Sequence, residues 1–260
     1  MRGTPADWTD AYYGDLYLES AADLMTPALT ALEAGVIARL LAPAASARLL
    51  DLACGHGRHA WALAGVAAVV GVDRSRAYLA RAEARGPAGG RRPRFIRADL
   101  RALPFPDGAF DGAYSWYSSL FMWSEEGNAA ALAELARVVR RGGRVLVHHA
   151  NPLRLARQPR AIARRVIAGG AVVEEEAEFD PTTGVERAHR RLVRPGGARL
   201  EGTAVLRYYR PEEWHGLARG AGLRLLGLTS TPDAAAGAGG MPGPEAPDLV
   251  ALLERAVSDR

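Results

Sequence analysis

Three aspartates at the ends of apolar runs are the groups in this chain best placed to do chemistry. Asp51 lies in the run Leu49 to Leu52, Asp73 closes Ala67 to Val72, and Asp99 follows Phe95 to Ala98. Each run reads as a strand, and a carboxylate at a strand's carboxyl end faces the crevice where open α/β sheets take ligands. Asp51 can accept hydrogen bonds from a cationic amine. Asp73 stands about 20 residues beyond a glycine turn, the placement that grips the two hydroxyls of a ribose. The turn is Ala53-Cys54-Gly55-His56-Gly57-Arg58. Gly55 and Gly57 have no Cβ, so the chain can bend sharply there and let a ligand lie against backbone amides. Cys54 sits inside that bend as a small residue that fits it. A second group is aromatic: Trp116-Tyr117-Ser118-Ser119-Leu120-Phe121 follows the strand Phe110 to Trp116. A third is the pair His148-His149 closing the strand Arg144 to His149. Alternation puts these imidazoles on opposite faces, so one can look into the crevice as a general base.

The elements that position these groups follow from periodicity. Ala60, Leu63 and Ala64 start a helix after the glycine turn, and Thr26-Pro27 starts an earlier one with Leu29, Leu32, Val36, Leu40 and Leu41 as its apolar face. Gly86 to Pro93 reads as a loop. A helix runs from near Glu125 to Arg140, with Gly142-Gly143 stopping it. Leu153 to Ile167 reads as an arginine-rich helical stretch. Val172 to Phe179 and Val185 to Val193 read as a hairpin, with Leu200 to Tyr209 as a third antiparallel strand. Pro211 starts a further helix, Leu223 to Thr229 is a strand, Thr231 to Pro247 reads as a mobile loop, and Leu249 to Leu253 is a last, antiparallel strand.

Composition narrows the classes. The chain has 260 residues, 48% of them hydrophobic, which suffices for a sizeable core. No apolar run approaches the ~20 residues of a membrane span, and Met1-Arg2-Gly3-Thr4-Pro5 precedes nothing like a signal peptide. A lone cysteine forms no internal disulfide, which fits a reducing cytoplasm. A basic balance raises nucleic acid as a partner. Yet the formal charge is only +4, every basic residue is an arginine, and no basic block with interleaved aromatics occurs, so nucleic acid is not expected.

The order "apolar strand, Asp51-x-x-x-Gly55-x-Gly57, helix", then Asp73, Asp99-Leu100, Leu103-Pro104-Phe105, Asp107-Gly108 and Phe110-Asp111, resembles the class I S-adenosylmethionine-dependent methyltransferases. Within that family the bacterial small-molecule enzymes, among them the sugar N-methyltransferases, are similar. The resemblance implies a Rossmann-like α/β fold: a seven-stranded, mostly parallel sheet with helices on both faces and a small antiparallel β insertion. It divides the chain into cofactor-covering helices at 1–47, a core at 48–152 and 211–255, and a substrate-side helix and β insertion at 153–210. That insertion serves equally as a substrate lid or a dimer contact, and a homodimer stays open.

The implied cofactor is S-adenosylmethionine, with no metal. The resemblance makes Asp51, Ala53, Gly55, Gly57, Arg58 and Arg74 cofactor-binding, with Asp73 at the ribose. Asp99 would accept from the adenine amino group and the Leu100 amide would donate to the ring. Tyr13 and Tyr17 resemble the family's tyrosine entry segment, which closes over the methionine part. Ser115 and Trp116 would lie nearest the transferring methyl, with Trp116, Tyr117 and Phe121 as the substrate wall and His148 or His149 as the base. Many relatives carry an acid at the His148 position, so the histidine is a departure. The implied activity is methyl transfer to an oxygen or nitrogen of a small-molecule acceptor. Two alternatives stand beside it. One is a non-methylating enzyme of cyclase or decarboxylase type that uses the sulfonium charge, the other a nucleotide-sensing binding module.

Overall fold

A computed structural model describes residues 8–86 and 91–257. The first seven residues and part of the expected Gly86–Pro93 loop, 87–90, lie outside the described residues. The chain opens with two short helices, α1 (Trp8–Tyr12) and α2 (Asp15–Ala21), and a longer one, α3 (Pro27–Leu41). Thr26 caps α3, its hydroxyl accepting from the Leu29 amide at 3.1 Å, with proline in the first turn. The buried face of α3 differs from the one its leucines suggest. Thr30, Glu33, Val36, Ile37 and Leu41 face inward, while Leu32 is 46% exposed.

Alternating strands and helices follow: β1 (Arg48–Leu52), α4 (Arg58–Leu63), β2 (Ala68–Asp73), α5 (Arg76–Ala84), β3 (Arg94–Arg97), β4 (Phe110–Ser115), α6 (Glu125–Val138) and β5 (Val139–Ala150). α6 ends two residues before the expected Arg140: the backbone turns extended at Val139, and Arg140, already in β5, binds Asp111 at 2.9 Å. Gly142 makes its bend (φ 70) inside β5 rather than after the helix.

The next segment departs from expectation. Only α7 (Pro152–Arg157) is helical. Arg160–Val166 is a strand, β6, where an arginine-rich helix was expected. β7 (Val172–Asp180), β8 (Val185–Val193) and β9 (Arg199–Arg207) complete an antiparallel sheet in the order β6-β7-β8-β9. Its register sets arginines of β6 and β8 opposite glutamates of β7: Arg164 and Arg191 flank Glu174, and Arg160 and Arg187 flank Glu178. Such opposite-charge pairs stabilise neighbouring strands. The chain returns through α8 (Trp214–Gly220), β10 (Leu223–Thr229), α9 (Thr231–Ala236) and β11 (Asp248–Arg255). The expected loop from Thr231 therefore begins as a helix, capped by the Ser230 hydroxyl and ended by Gly237 at φ 81.

The main sheet has seven strands in the order β10-β11-β5-β4-β1-β2-β3. All neighbours run parallel except where β11 pairs with β10 and β5. β1 and β2 are buried on both faces, as parallel strands under helices should be. Leu50 and Leu52 face α6 through Leu132 and Leu135, while Leu49 faces α3 and α4 through Ile37 and Leu63. From β1 the chain winds out to β3, then crosses to β4 on the other side of β1. The crevice at that reversal is where such sheets bind ligands.

α1 and α2 do not pack on this sheet. Tyr12 and Leu16 share an apolar cluster with Val173, Leu192 and Ala204 of the smaller sheet. Three arginines add to the join. Arg165 pairs with Asp23 at 2.7 Å and bonds the Ser20 carbonyl, Arg194 pairs with Glu19 at 2.6 Å, and Arg190 donates to the Ser20 hydroxyl at 3.2 Å.

Candidate active site

Two cavities lie side by side at the carboxyl ends of the main strands. The first, of about 570 Å³, is lined by Asp51, Asp73 and Asp99 together, so the three strand-end acids do ring one crevice. The backbone between β1 and α4 makes the floor. Ala53, Gly55 and Gly57 all take left-handed conformations (φ 56, 54 and 73). At Gly57 a Cβ would come within 2.8 Å of the Phe95 ring, so only glycine fits. Asp73 ties this loop to the next one: one carboxylate oxygen accepts from the Gly55 amide at 2.9 Å, the other from the Ser75 amide at 2.8 Å. Asp99 is held from the solvent side by Arg101, bidentate at 3.0 and 2.7 Å, and stays half exposed.

The deeper end is different. Asp51 is 3% exposed, and its Oδ2 is buried with no hydrogen-bond partner among the described residues. Burial raises the carboxyl to about 7, opposed by the Tyr114 hydroxyl and Arg58 beside it. Arg58 is equally buried. Its Nη1 donates to Glu33 at 2.5 Å and to the Thr30 hydroxyl at 3.1 Å, its guanidinium covers the Tyr117 ring at 5.0 Å, and its Nη2 has no partner among the described residues. Glu33 also meets His59 Nε2 at 3.0 Å. Against a burial that would raise it, bonds from His59 and Arg58 hold the Glu33 carboxyl at about 2, while burial pushes the His59 imidazole down to about 4. At neutral pH the cluster is therefore a glutamate–arginine ion pair beside a neutral histidine. Glu33 escaped sequence reading because it lies among leucines. Its spacing with Thr30, Ile37 and Leu41 was the available signal.

Of the residues expected at the cofactor, Tyr13, Tyr17, Asp51, Ala53, Gly55 and Arg58 line this first cavity, as do Asp73, Arg74, Asp99 and Leu100. Gly57 lies behind the floor, and Ser115 is buried with its hydroxyl unpartnered. Trp116 and Tyr117 line the cavity, and the Trp116 indole nitrogen is a further buried donor without a partner. Phe121 does not reach either cavity. It folds back into the core, 1% exposed, against Tyr209 and Trp214.

The second cavity, of about 550 Å³, opens between the two sheets. Tyr13, Tyr17 and Tyr117 line both cavities and form the partition between them. Beyond it stand Tyr12, Glu175, Glu186, Arg190 and Tyr208 from α1 and the smaller sheet, facing His148 and Asp248 from the main one. Arg190 is neutralised by Glu175 at 2.5 Å, whereas Glu186 accepts from the Tyr208 hydroxyl at 2.8 Å, and burial raises its carboxyl. Asp248, which sequence reading passed over, faces His148 Nε2 at 3.4 Å.

The two histidines separate as alternation requires. His148 faces the second cavity. His149 is fully buried on the opposite face, stacked on Trp214 at 5.6 Å, with Nδ1 bonded to the Ala150 carbonyl, and burial pushes its imidazole down to about 4. The expectation that either could face the crevice is thus corrected for His149, which packs in the core. Among the described residues no group of three or more His, Cys, Asp or Glu is placed to hold a metal ion, and no helix is long and apolar enough to cross a membrane.

Residues 49–143, the segment that builds the first cavity, match a family model described as a methyltransferase domain. That segment, which carries the glycine turn and the acids Asp51, Asp73 and Asp99, is similar to a methyltransferase domain over less than half of the chain. The demethylmenaquinone methyltransferase of Thermus thermophilus is 44% identical over 103 residues, covering 38% of this chain and 46% of the relative. The chain thus spans about half the length of the curated relatives it matches. The methyltransferase CcbJ of Streptomyces caelestis superposes with a TM-score of 0.79 at 20% identity, over 95% of this chain and 99% of that one. A sugar N-methyltransferase, KedS8 of a Streptoalloteichus species, gives 0.66 at 23% identity over 88% of each. At these identities the likeness concerns the fold alone. It extends beyond residues 49–143, over both sheets.

Proposed function

We propose that this protein is a methyltransferase that moves a methyl group from S-adenosylmethionine to an oxygen or nitrogen of a small molecule. One observation carries the reading. A carboxylate oxygen of Asp51 and a guanidinium nitrogen of Arg58, both buried at one end of the first cavity, have no hydrogen-bond partner among the described residues. Buried polar groups are nearly always satisfied, and an unpaired buried charge is costly. An α-amino acid satisfies both: its ammonium meets Asp51 and its carboxylate meets Arg58. The Trp116 indole N–H is a third donor on the same wall. Farther out, Asp73 suits ribose hydroxyls, and Asp99 with the Leu100 amide suits an adenine edge. The methionine and adenosine halves of one cofactor thus match the two ends of one cavity.

When bound, S-adenosylmethionine supplies a methyl already made electrophilic by its sulfonium. The protein's part is alignment, worth up to ~7–11 kcal/mol in effective-molarity terms. Tyr13, Tyr17 and Tyr117 stand where the two cavities meet, and we assign the second cavity to the acceptor. Its tyrosines and carboxyls suit a polar small molecule rather than a nucleic-acid backbone, since Arg190, the cation on its wall, is already paired. α1, α2 and the smaller sheet then form the roof over both ligands. The single cysteine, without an internal disulfide, supports a cytoplasmic setting.

Titration calorimetry with S-adenosylhomocysteine tests the first cavity: saturable binding lost in Asp51→Ala is the expected result, and no binding by the native chain refutes the reading. Incubation with S-adenosylmethionine and a panel of hydroxylated and amine acceptors tests the reaction. A product heavier by one methyl, with S-adenosylhomocysteine formed in equal amount, is expected. A product without that mass and an intact cofactor would sink it.

A further inference from the structure

Tyr117 and Ser118 are consecutive non-glycine residues with left-handed backbones, at φ 62 and 58. Each such conformation is costly and persists only where its surroundings impose it. Here His148 imposes it. Its Nδ1 accepts the Tyr117 amide proton at 3.0 Å, and its own carbonyl accepts the Ser118 amide at 3.0 Å. The Ser118 hydroxyl then accepts from the Ala150 amide at 3.2 Å. A backbone N–H can only donate, so Nδ1 must carry the lone pair, and the neutral ring carries its proton on Nε2, toward Asp248. Asp248 is itself anchored, its other oxygen accepting from the Thr231 amide at 2.6 Å. Trp116 stacks on the imidazole at 4.6 Å and 12°.

We propose that His148 is a positioning residue: through Nδ1 it braces the Tyr117–Ser118 turn and so holds the Tyr117 ring at the partition between the two cavities. The lone pair that a general base would need is already engaged by the backbone. This inference rests on the first cavity's being the S-adenosyl site.

Two substitutions divide the imidazole's functions. In His148→Asn the side-chain oxygen falls where Nδ1 was and still accepts from Tyr117, but the link to Asp248 is lost. In His148→Gln the longer amide reaches Asp248 and leaves no acceptor for the turn. Calorimetry with S-adenosylhomocysteine on the full chain reads the consequence at Tyr117. The Asn variant should bind within about threefold of the native chain, and the Gln variant about tenfold more weakly, the scale of one lost hydrogen bond that was holding a strained turn. Adding Ser118→Gly to His148→Gln should recover most of that loss, since glycine adopts the left-handed turn unaided. Equal weakening in Asn and Gln, or no change in either, overturns the proposal. Should the Gln variant not fold, His148→Ala, which has no acceptor for the turn, takes its place: about tenfold weaker binding in Ala with Asn within threefold upholds the brace, and equal binding by Ala and Asn refutes it. If the native chain does not bind S-adenosylhomocysteine, the assignment of the cavity fails instead.

Discussion

Burial raises the Asp51 carboxyl from 3.8 to about 7, so over that interval the folded chain holds a proton that the unfolded chain has released. Through this group, stability is fully present below 3.8 and is lost as pH rises through about 7. An ammonium beside the carboxyl favours the ionised form and lowers that value. Binding of S-adenosylhomocysteine should therefore release protons and tighten as pH rises from 5 toward 7. Calorimetry in two buffers of different ionisation enthalpy measures this. A heat independent of the buffer, or one unaltered in Asp51→Asn, counts against Asp51 as the ammonium partner. Asp51, Asp73 and Asp99 were legible in the sequence because strand, acid and turn are contiguous there, and each local signal supports the next. Asp248 was not, because its role depends on an imidazole that lies a hundred residues earlier. His148 looked like a base for the same reason: nothing in the sequence places a backbone amide on its Nδ1.

β6 shows the same limit for an element. Its residues are exposed along nearly the whole strand, Ile162 by 83%, so no buried face imprints a period of two on Arg160–Val166. What makes it a strand is the row of glutamates opposite, on β7. The hairpin β7–β8 was readable because Val173, Phe179, Ala188 and Leu192 alternate with charges. The join between this sheet and α1–α2 was not readable, since its apolar cluster and its arginines bring together residues far apart in the sequence. Arg190 is central to it, lying 5.3 Å over both the Tyr12 and Tyr17 rings while bound to Glu175 and Ser20. Arg190→Leu should loosen α1 and α2 from the sheet. Hydrogen exchange across residues 8–21 should accelerate at least about tenfold, with β1 and β2 unchanged, and S-adenosylhomocysteine should slow it again in the native chain. Uniform exchange in variant and native protein would show that the apolar cluster alone holds these helices.

At the scale of the whole molecule, the strand order reverses beside β1 and puts both cavities at one end of the sheet. The parallel half was legible from its alternation of apolar runs and helical periods. The antiparallel β11 was legible as a strand. Its site between β5 and β10 was not legible, since no residue in it marks which strands it joins. That site makes β11 a keystone for packing: Leu249, Val250, Ala251 and Leu253 are wholly buried, on both faces. Leu249→Ala should cost about 2–5 kcal/mol, seen as a lower urea midpoint at unchanged slope. A loss well under 1 kcal/mol would mean that the sheet closes around the gap.

β11 is also the last element in the described chain, and it brings Asp248 with it. On a ribosome, the strands that carry Asp51, Asp73 and Asp99 emerge and can pair while the residue that backs His148 is still unmade. A nascent chain of this kind would have its first crevice laid out before the histidine bordering the second had met its acid.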